Sequence, residues 1–264
     1  MLGLLKSELD WRWAAYGKHP VSRDYFQCGS DFPLMKYFSV WVEKGYTMQT
    51  SKNRTSHKAC SWRFWAKGSR KGMLVCGLVK DSSDKLGRPY PLLIMGTGSL
   101  KNWEEQWEFL PFACENTWNQ IEYLSAQTHG DLKKMEAEVQ NIRSPVTDWP
   151  DSKAKRERAT ELINHYMRTY PHNIKRIERV TSELPKKTEF ILCLDNKLFY
   201  NQTMLIHYWH FLLKEQLDAA PNAIFMGGTM EQAYLALLRR PLTQDDFPKF
   251  WSVSFSESSG IVSV

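Results

Sequence analysis

Apolar residues are densest between positions 60 and 95, where they form three short runs. The first two runs, Trp62–Ala66 and Met73–Val79, are joined by the polar, glycine-containing segment 67–72, which predicts a turn. The second run is apolar without alternation, which is typical of a strand buried on both faces. A third run spans Pro89–Met95. Because short connections usually join neighbouring antiparallel strands, we expect these three strands to lie side by side.

Other patterns place further strands and helices around this segment. Strands are predicted at Trp11–Tyr16, Glu189–Leu194 and Asn222–Met226. Helices are predicted from Asp31, as N-cap, to about Gly45 or Met48; from Asn102 to Leu124 with a kink at Pro111; at Asp131–Ile142; at Leu205–Leu217; and after Thr229 through Leu238. Since a sheet that is apolar on both faces needs helices on both faces, we predict an α/β fold. Its architecture is a three-layer α/β/α sandwich around a mixed, largely antiparallel sheet.

The best candidate for a domain boundary is the proline-containing segment 144–150. It separates an α/β unit, residues 1–148, from residues 149–264, which hold a charged helical segment and strands that complete or extend the sheet. The alternative is one domain over the whole chain. Both charge signs alternate in residues 151–187, which is typical of a solvated helical face.

Composition indicates a folded protein without a membrane span. The chain is 42% hydrophobic and 24% charged, and no apolar run approaches the ~18 residues that cross a bilayer. The first residues contain too short an apolar core for a secretory signal. The five cysteines form no CxxC pair and are read as free thiols, which favours the cytoplasm. A net charge of +6 permits an acidic protein partner or a weak nucleic-acid contact without demanding either.

Candidate catalytic and metal-binding patterns are weak. His207 and His210 stand one helical turn apart, a spacing that can share a metal, but no third ligand is evident and we read them as polar residues of an outer helix face. Gly96–Ser99 occupies the place of a phosphate-binding turn, yet Lys101 stands where the pattern needs its third glycine, so we read a plain turn that ends the third strand. We therefore predict no catalytic residues, no cofactor and no metal.

Two loops combine turn residues with opposite charges. The first, residues 17–25, contains Lys18, Pro20, Arg23 and Asp24, and the second, residues 84–92, contains Asp84, Gly87 and Arg88. One interpretation is turn chemistry, because Asp supplies a side-chain acceptor, Gly permits a positive φ and Pro fixes φ. The other interpretation is a surface that binds a partner.

Together with Trp62, Arg63 and Phe64, these loops resemble the TagF (ImpM) family of type VI secretion-associated proteins. The family pattern is a GKxPxxGDF loop, a WRF strand and an SxDxxGRxFPL turn-strand, in this order and spacing. In this chain Arg23 replaces a glycine, Tyr25 and Tyr90 replace phenylalanines, and Asp81 stands where the family often has proline. The resemblance extends over about residues 11–96.

The resemblance implies a non-enzymatic, cytoplasmic accessory protein that restrains assembly of the secretion machine after translation. It also implies a protein partner, such as a forkhead-associated scaffold protein of the secretion system. We expect the motif residues Lys18, Pro20, Arg23, Asp24, Trp62, Arg63, Asp84, Gly87 and Arg88 to be binding or structural. Asp84 and Arg88 should form a clasp at the mouth of the third strand, with Asp24 as the carboxylate for Arg88.

Two other functions stay open at this point. The sequence pI of about 9.0, the basic stretch 153–187 and the abundant aromatic residues are compatible with a nucleic-acid-binding module. An enzyme that uses the loop carboxylates of Asp84 and Asp24 is the other alternative, and it would need an open polar cleft that joins them.

Overall fold

Nine strands join into one sheet in the computed structural model of this chain. They are β1 (Arg12–Gly17), β2 (Phe26–Gly29), β3 (Ser61–Lys67), β4 (Met73–Lys80), β5 (Leu92–Ser99), β6 (Glu189–Leu194), β7 (Ala223–Gly228), β8 (Ala233–Leu238) and β9 (Val262–Ser263). Their spatial order is β2-β1-β5-β4-β3-β7-β8-β6-β9. The structure describes residues 10–51, 59–146, 187–194, 202–252 and 262–263, with a few helical positions between 154 and 183.

The sheet is mixed and largely antiparallel, as predicted. β3, β4 and β5 are antiparallel neighbours, with Lys80 of β4 paired to Ser61 on one side and to Leu92 on the other. β7 pairs with β3, and β8 and β6 follow it, so strands from the carboxy-terminal half extend the same sheet. The short β9 lies parallel to β6. The predicted boundary at 144–150 and the charged helical face at 151–187 lie mostly outside the described residues.

Helices pack against both faces of this sheet. They are α1 (Pro33–Ser51), α2 (Leu110–Ala126), α3 (Leu132–Gln140), α4 (Gln202–Gln216) and α5 (Asp246–Ser252), with a 3₁₀ turn at Trp107–Phe109. No helix of the described segments combines the length and the apolar character that crossing a membrane requires.

The alternating side chains of β4 explain its unbroken apolar sequence. Leu74, Cys76 and Leu78 lie in a core that includes buried residues of α2, α3 and α4. Val75 and Val79 lie in a second core, which includes buried residues of α1 and α5. Because successive strand residues face opposite sides, each face of β4 needs apolar side chains. The prediction that this strand is buried on both faces is confirmed.

The third strand was predicted at Pro89–Met95, and both of these bounds were wrong. β5 begins at Leu92 and continues through Gly96 and Gly98, which we had read as a turn. A Cβ atom on Gly96 would lie 2.3 Å from a ring carbon of Trp13, and one on Gly98 would lie 2.5 Å from the ring of Trp11. The glycines are therefore required because the rings of Trp11 and Trp13 occupy the space that a Cβ atom would need, and they do not break the strand.

The predicted helix after Thr229 was also wrong, because Ala233–Leu238 forms β8. The hydroxyl of Thr229 accepts hydrogen bonds from the backbone of Glu231 and Gln232, which closes a turn between β7 and β8. β8 then pairs with β7 and β6, and all six of its residues are buried. Alanine and leucine favour a helix, but pairing with a strand on each side stabilises this segment as a strand.

Several helix boundaries differ from their predictions. α1 begins at Pro33 and ends at Ser51, so Asp31 precedes the N-cap position. The helix predicted from Asn102 begins only at Leu110, which places Pro111 in its first turn, where proline is tolerated without a kink. The short strand β2, which directly follows the first loop, was not predicted.

Candidate functional site

The pairing of β1 with β5 brings the two motif loops together. Because the strands are antiparallel, Gly17 at the end of β1 lies opposite Leu92 at the start of β5. A Cβ atom on Gly17 would lie 2.0 Å from the carbonyl oxygen of Pro91, and its φ is +120°, so this position requires glycine. The loops are also joined directly, since the backbone N–H of Lys85 donates to the carbonyl of Ser22 at 2.7 Å.

The centre of the site is the carboxylate of Asp84, which accepts four hydrogen bonds. Lys18 Nζ lies 3.0 Å from Oδ2, and the exposed fractions of the two side chains are 6% and 0%. Arg88 Nε donates to the same oxygen at 2.7 Å. The backbone N–H groups of Leu86 and Arg88 donate to Oδ1 at 2.9 and 3.0 Å. Burial opposes ionisation, but the bonds from Lys18 and Arg88 outweigh it and lower the pKa of Asp84 to about 2.

Arg88 connects this buried carboxylate to the surface. Its side chain is 49% exposed, and its Nη2 donates to the carbonyl of Arg23 at 2.7 Å. The expected pair with Asp24 is present but longer, at 3.5 Å, and exposed. Asp84 is thus the nearer carboxylate for Arg88, and the sequence analysis had not paired it with Lys18. We call Lys18, Asp24, Asp84 and Arg88 the clasp.

Turn residues set the shape of both loops as the residue types predicted. The N–H of Ser22 donates to the carbonyl of His19, and Pro20 takes the second position of this turn, where its fixed φ is favourable. Gly87 has φ +77°, and an added Cβ would meet nothing within 4 Å, so glycine is favoured there by backbone conformation alone.

Four tyrosines form a cluster beside the clasp, with the buried Tyr90 at its centre. Tyr90 makes edge-on ring contacts with Tyr16, Tyr25 and Tyr46, at centroid distances of 6.3, 4.6 and 5.0 Å. The ammonium of Lys18 lies 4.7 Å from the ring centroid of Tyr25, a cation–π arrangement. Burial raises the pKa of Tyr90 well above its usual value, so this hydroxyl stays protonated.

The outer side of the loops is exposed and mixes charged with apolar groups. Leu86 is 69% exposed and Tyr25 is 54% exposed. The clasp surface, as we define it, consists of the exposed residues Arg23, Asp24, Tyr25, Lys85, Leu86, Gly87, Arg88 and Pro89.

Trp62 and Arg63 do not contact the clasp and serve the two sheet faces instead. Trp62 is fully buried and packs against Phe250, with ring centroids 5.3 Å apart. Arg63 points to the opposite face, where its Nε and Nη2 each lie 2.6 Å from an oxygen of Glu122 on α2. Its guanidinium also lies 5.9 Å from the ring centroid of Trp118. These motif residues attach α2 and α5 to β3.

The sequence analysis missed His19 as a residue of this region. Its side chain is buried, its Nδ1 accepts from the N–H of Val21, and its Nε2 lies 3.2 Å from the carbonyl of Leu124 at the end of α2. Burial lowers the pKa of His19, which favours the neutral ring. The first loop is thereby fixed to a helix as well as to the second loop. His19 occupies the variable position of the GKxP motif, so the motif gives no signal for it.

The two histidines of α4 are buried, and their prediction as outer-face residues was wrong. His210 accepts a hydrogen bond from Trp65 Nε1 at 3.1 Å, and its Nδ1 lies 2.8 Å from the carbonyl of Ile206. His207 stacks on Phe112 at a centroid distance of 3.5 Å. Among the described residues, no three His, Cys, Asp or Glu side chains are grouped as ligands for one metal ion.

Comparison with known proteins finds a matching family model and similar solved structures. Residues 14–143 match the family model of the TagF N-terminal domain, described as type VI secretion system-associated. The crystal structure of PA0076 from Pseudomonas aeruginosa PAO1 is similar at 22% sequence identity and a TM-score of 0.40, over 51% of this chain. The alignment spans 64% of the length of that protein. No match to this chain was found among curated proteins.

Proposed function

Since the chain belongs to the TagF family of type VI secretion system-associated proteins, matched over residues 14–143, we propose that it restrains assembly of that machine by binding another protein. It acts in the cytoplasm as a non-enzymatic accessory factor. Its partner is a scaffold protein of the secretion system with a forkhead-associated domain, as the family resemblance implies. The observation that carries the proposal is the convergence of both family loops on one clasp whose outer side is exposed.

The division of the clasp into an inner and an outer part supports a binding role. Lys18 and Asp84 are almost fully buried and hold the loops in one conformation. Pre-organised loops lose little conformational entropy on binding, which favours affinity. The outer part presents Tyr25, Leu86 and Arg88, and tyrosine and arginine are enriched among the residues that dominate interface energies.

Charge indicates the kind of partner surface. The clasp surface holds three cationic side chains, Arg23, Lys85 and Arg88, and one carboxylate, Asp24. A complementary partner presents a mostly acidic patch with an apolar centre that covers Leu86. The helices on both sheet faces support the finer prediction of a three-layer α/β/α sandwich, which gives these loops a rigid platform.

The state of Asp84 favours this role over catalysis. Both carboxylate oxygens accept hydrogen bonds, and the residue is 2% exposed. With its pKa lowered to about 2, the group is far from the range in which a carboxylate exchanges protons near neutral pH. We therefore assign Asp84 a structural role in the binding surface.

Affinity purification from the native bacterium tests the proposal with two matched variants. Leu86→Asp places a charge at the centre of the clasp surface, and Tyr123→Asp does so on α2 at nearly the same exposure, 68% against 69%. We expect the scaffold protein to co-purify with the wild type and with Tyr123→Asp, but not with Leu86→Asp. Equal capture by all three would refute the clasp surface, and absence of any secretion-system protein would refute the function.

A further inference from the structure

A second candidate site lies at one end of the sheet, between α2 and α4. There a cavity of about 460 Å³ lies over strands β3, β4 and β7. Ser61 of β3 pairs with Lys80 on one side and with Gly228 on the other, so these three residues form one row across the cavity floor. The cavity is also lined by Glu122 of α2 and Ile206 of α4. Its volume is in the range that small-molecule sites occupy.

The acidic groups of this cavity are already engaged. The two oxygens of Glu122 accept from Nε and Nη2 of Arg63. The oxygens of Asp81 accept from the backbone N–H of Cys60 at 2.8 Å and from Trp251 Nε1 at 2.7 Å. Both carboxylates therefore have strong donors within the protein.

The basic groups of the cavity, in contrast, have N–H donors that form no hydrogen bond within the described residues. Within the described part of the chain, Lys80 forms no ion pair and no side-chain hydrogen bond, and Nη1 of Arg63 has no acceptor. Lys80 stands opposite Ser61, and Arg63 follows two residues later on the same face. Such diagonal neighbours are about 7–8 Å apart at the backbone, within reach of two long side chains. Lys80 and Arg63 are therefore able to donate to one anion.

Apolar side chains border the same space. Ile206, Met226 and Ala233 line the cavity. Burial of an apolar group against them is favourable in proportion to the area removed from water.

We propose that this cavity binds a small monocarboxylate with an apolar body, held by Lys80 and by Nη1 of Arg63. The charges of Lys80, Arg63, Asp81 and Glu122 balance. A single carboxylate fits because Lys80 and Nη1 of Arg63 keep free donors, whereas both carboxylates already accept hydrogen bonds within the protein. A dianion such as phosphate would bring its second charge next to Glu122 and Asp81, where repulsion disfavours it. The ligand's apolar part lies along Met226 and Ile206. This site is separate from the clasp surface, and the proposal does not depend on the function assigned to that surface.

Titration calorimetry with 4-phenylbutyrate tests the proposal on the full chain. We expect saturable binding with a dissociation constant on the order of 1 mM, the range for a ligand of this size. Lys80→Met keeps the side-chain length and removes the charge, so it should weaken binding by about tenfold or more. Lys71→Met, in the exposed turn after β3, should leave binding unchanged, and Lys80→Arg should retain it.

Two further ligands separate the contributions of charge and apolar body. The alcohol 4-phenylbutanol has the same body without the charge, and inorganic phosphate has charge without the body. Both should bind at least about tenfold more weakly than 4-phenylbutyrate. Absence of saturable binding, equal affinity for the alcohol or phosphate, or an unchanged affinity in Lys80→Met at an unchanged melting temperature would each overturn the proposal. Leu86→Asp should bind 4-phenylbutyrate normally, so this result and that of the partner test remain independent.

Discussion

Replacing Lys18 by methionine removes the inner cation of the clasp and keeps most of the side-chain volume. Its ammonium makes a charge-assisted hydrogen bond at 3.0 Å in an almost fully buried site. Loss of such a bond costs about 1.5–3 kcal/mol of unfolding free energy. For a chain of this size that corresponds to a decrease in Tm of roughly 3–10 °C. Arg88 still engages the carboxylate, which keeps the loss below that of a fully unpaired buried charge.

The pH dependence of this loss identifies the ion pair as its cause. The pKa of Asp84 is lowered from 3.8 to about 2 in the folded protein, so the unfolded chain binds its proton first as the pH falls. The stability that the carboxylate contributes is complete above about pH 5 and disappears as the pH falls through 4 towards 2. In Lys18→Met the pKa of Asp84 moves back towards its ordinary value. The difference in Tm between wild type and variant should therefore be largest near pH 7 and shrink towards pH 2.

Thermal unfolding followed by circular dichroism at several pH values measures both effects. Lys85→Met is the matched control, because Lys85 is exposed on the adjacent loop and should change Tm by less than about 2 °C. A Lys18→Met protein that melts with the wild type at pH 7 would refute the buried ion pair. A loss of the same size at every pH would show that packing, and not charge, is responsible.

Three further substitutions test other parts of the structure. Arg88→Ala should lower Tm by no more than about 3 °C but weaken partner binding, because Arg88 is half-exposed. Gly96→Ala should cost about 1–3 kcal/mol in denaturant unfolding, since its Cβ would lie 2.3 Å from the ring of Trp13. His210→Gln should remove an acid-sensitive part of stability. Burial lowers the pKa of His210 from 6.5 to about 4, so wild-type stability should fall by about 3 kcal/mol between pH 6.5 and 4, and the variant should lack this slope.

Each of these substitutions has a control and a contradicting result. Ser99→Ala, at the partly exposed end of β5, should be neutral, and a neutral Gly96→Ala would refute the position of the strand. His129→Gln, at an exposed site, should keep the slope of stability with pH, and an equal slope in His210→Gln would refute the burial of that ring. An Arg88→Ala protein that binds its partner normally would remove this residue from the interface.

The central strands were predictable because their apolar pattern is local. β4 is apolar at every position from Met73 to Val79, and only a strand with cores on both faces fits that pattern in so short a segment. Gly96 and Gly98 misled the prediction because the contacts that require glycine there are made by two tryptophans more than 80 positions earlier in the chain. β8 misled it because pairing on both edges overrides the helix propensity of alanine and leucine.

The loops of the site were predicted from the sequence, but the ion pair at its centre became evident only from the structure. Family resemblance placed both loops in one pattern, and the turn roles of Pro20 and Gly87 followed from residue type. The pair between Lys18 and Asp84 depends on the register of β1 against β5, which no local pattern specifies. His210 was assigned to an outer face because its position on α4 alone does not show the acceptor role that it fills for Trp65.

The most direct test of the central claim is the amount of type VI secretion in the native bacterium when variants of this protein are overproduced. Wild type and Tyr123→Asp should suppress secretion of the machine's own components. Leu86→Asp, at equal abundance and equal Tm, should leave secretion near the level of cells without overproduction. Suppression by Leu86→Asp as strong as that by wild type would contradict the claim that the clasp surface restrains the machine.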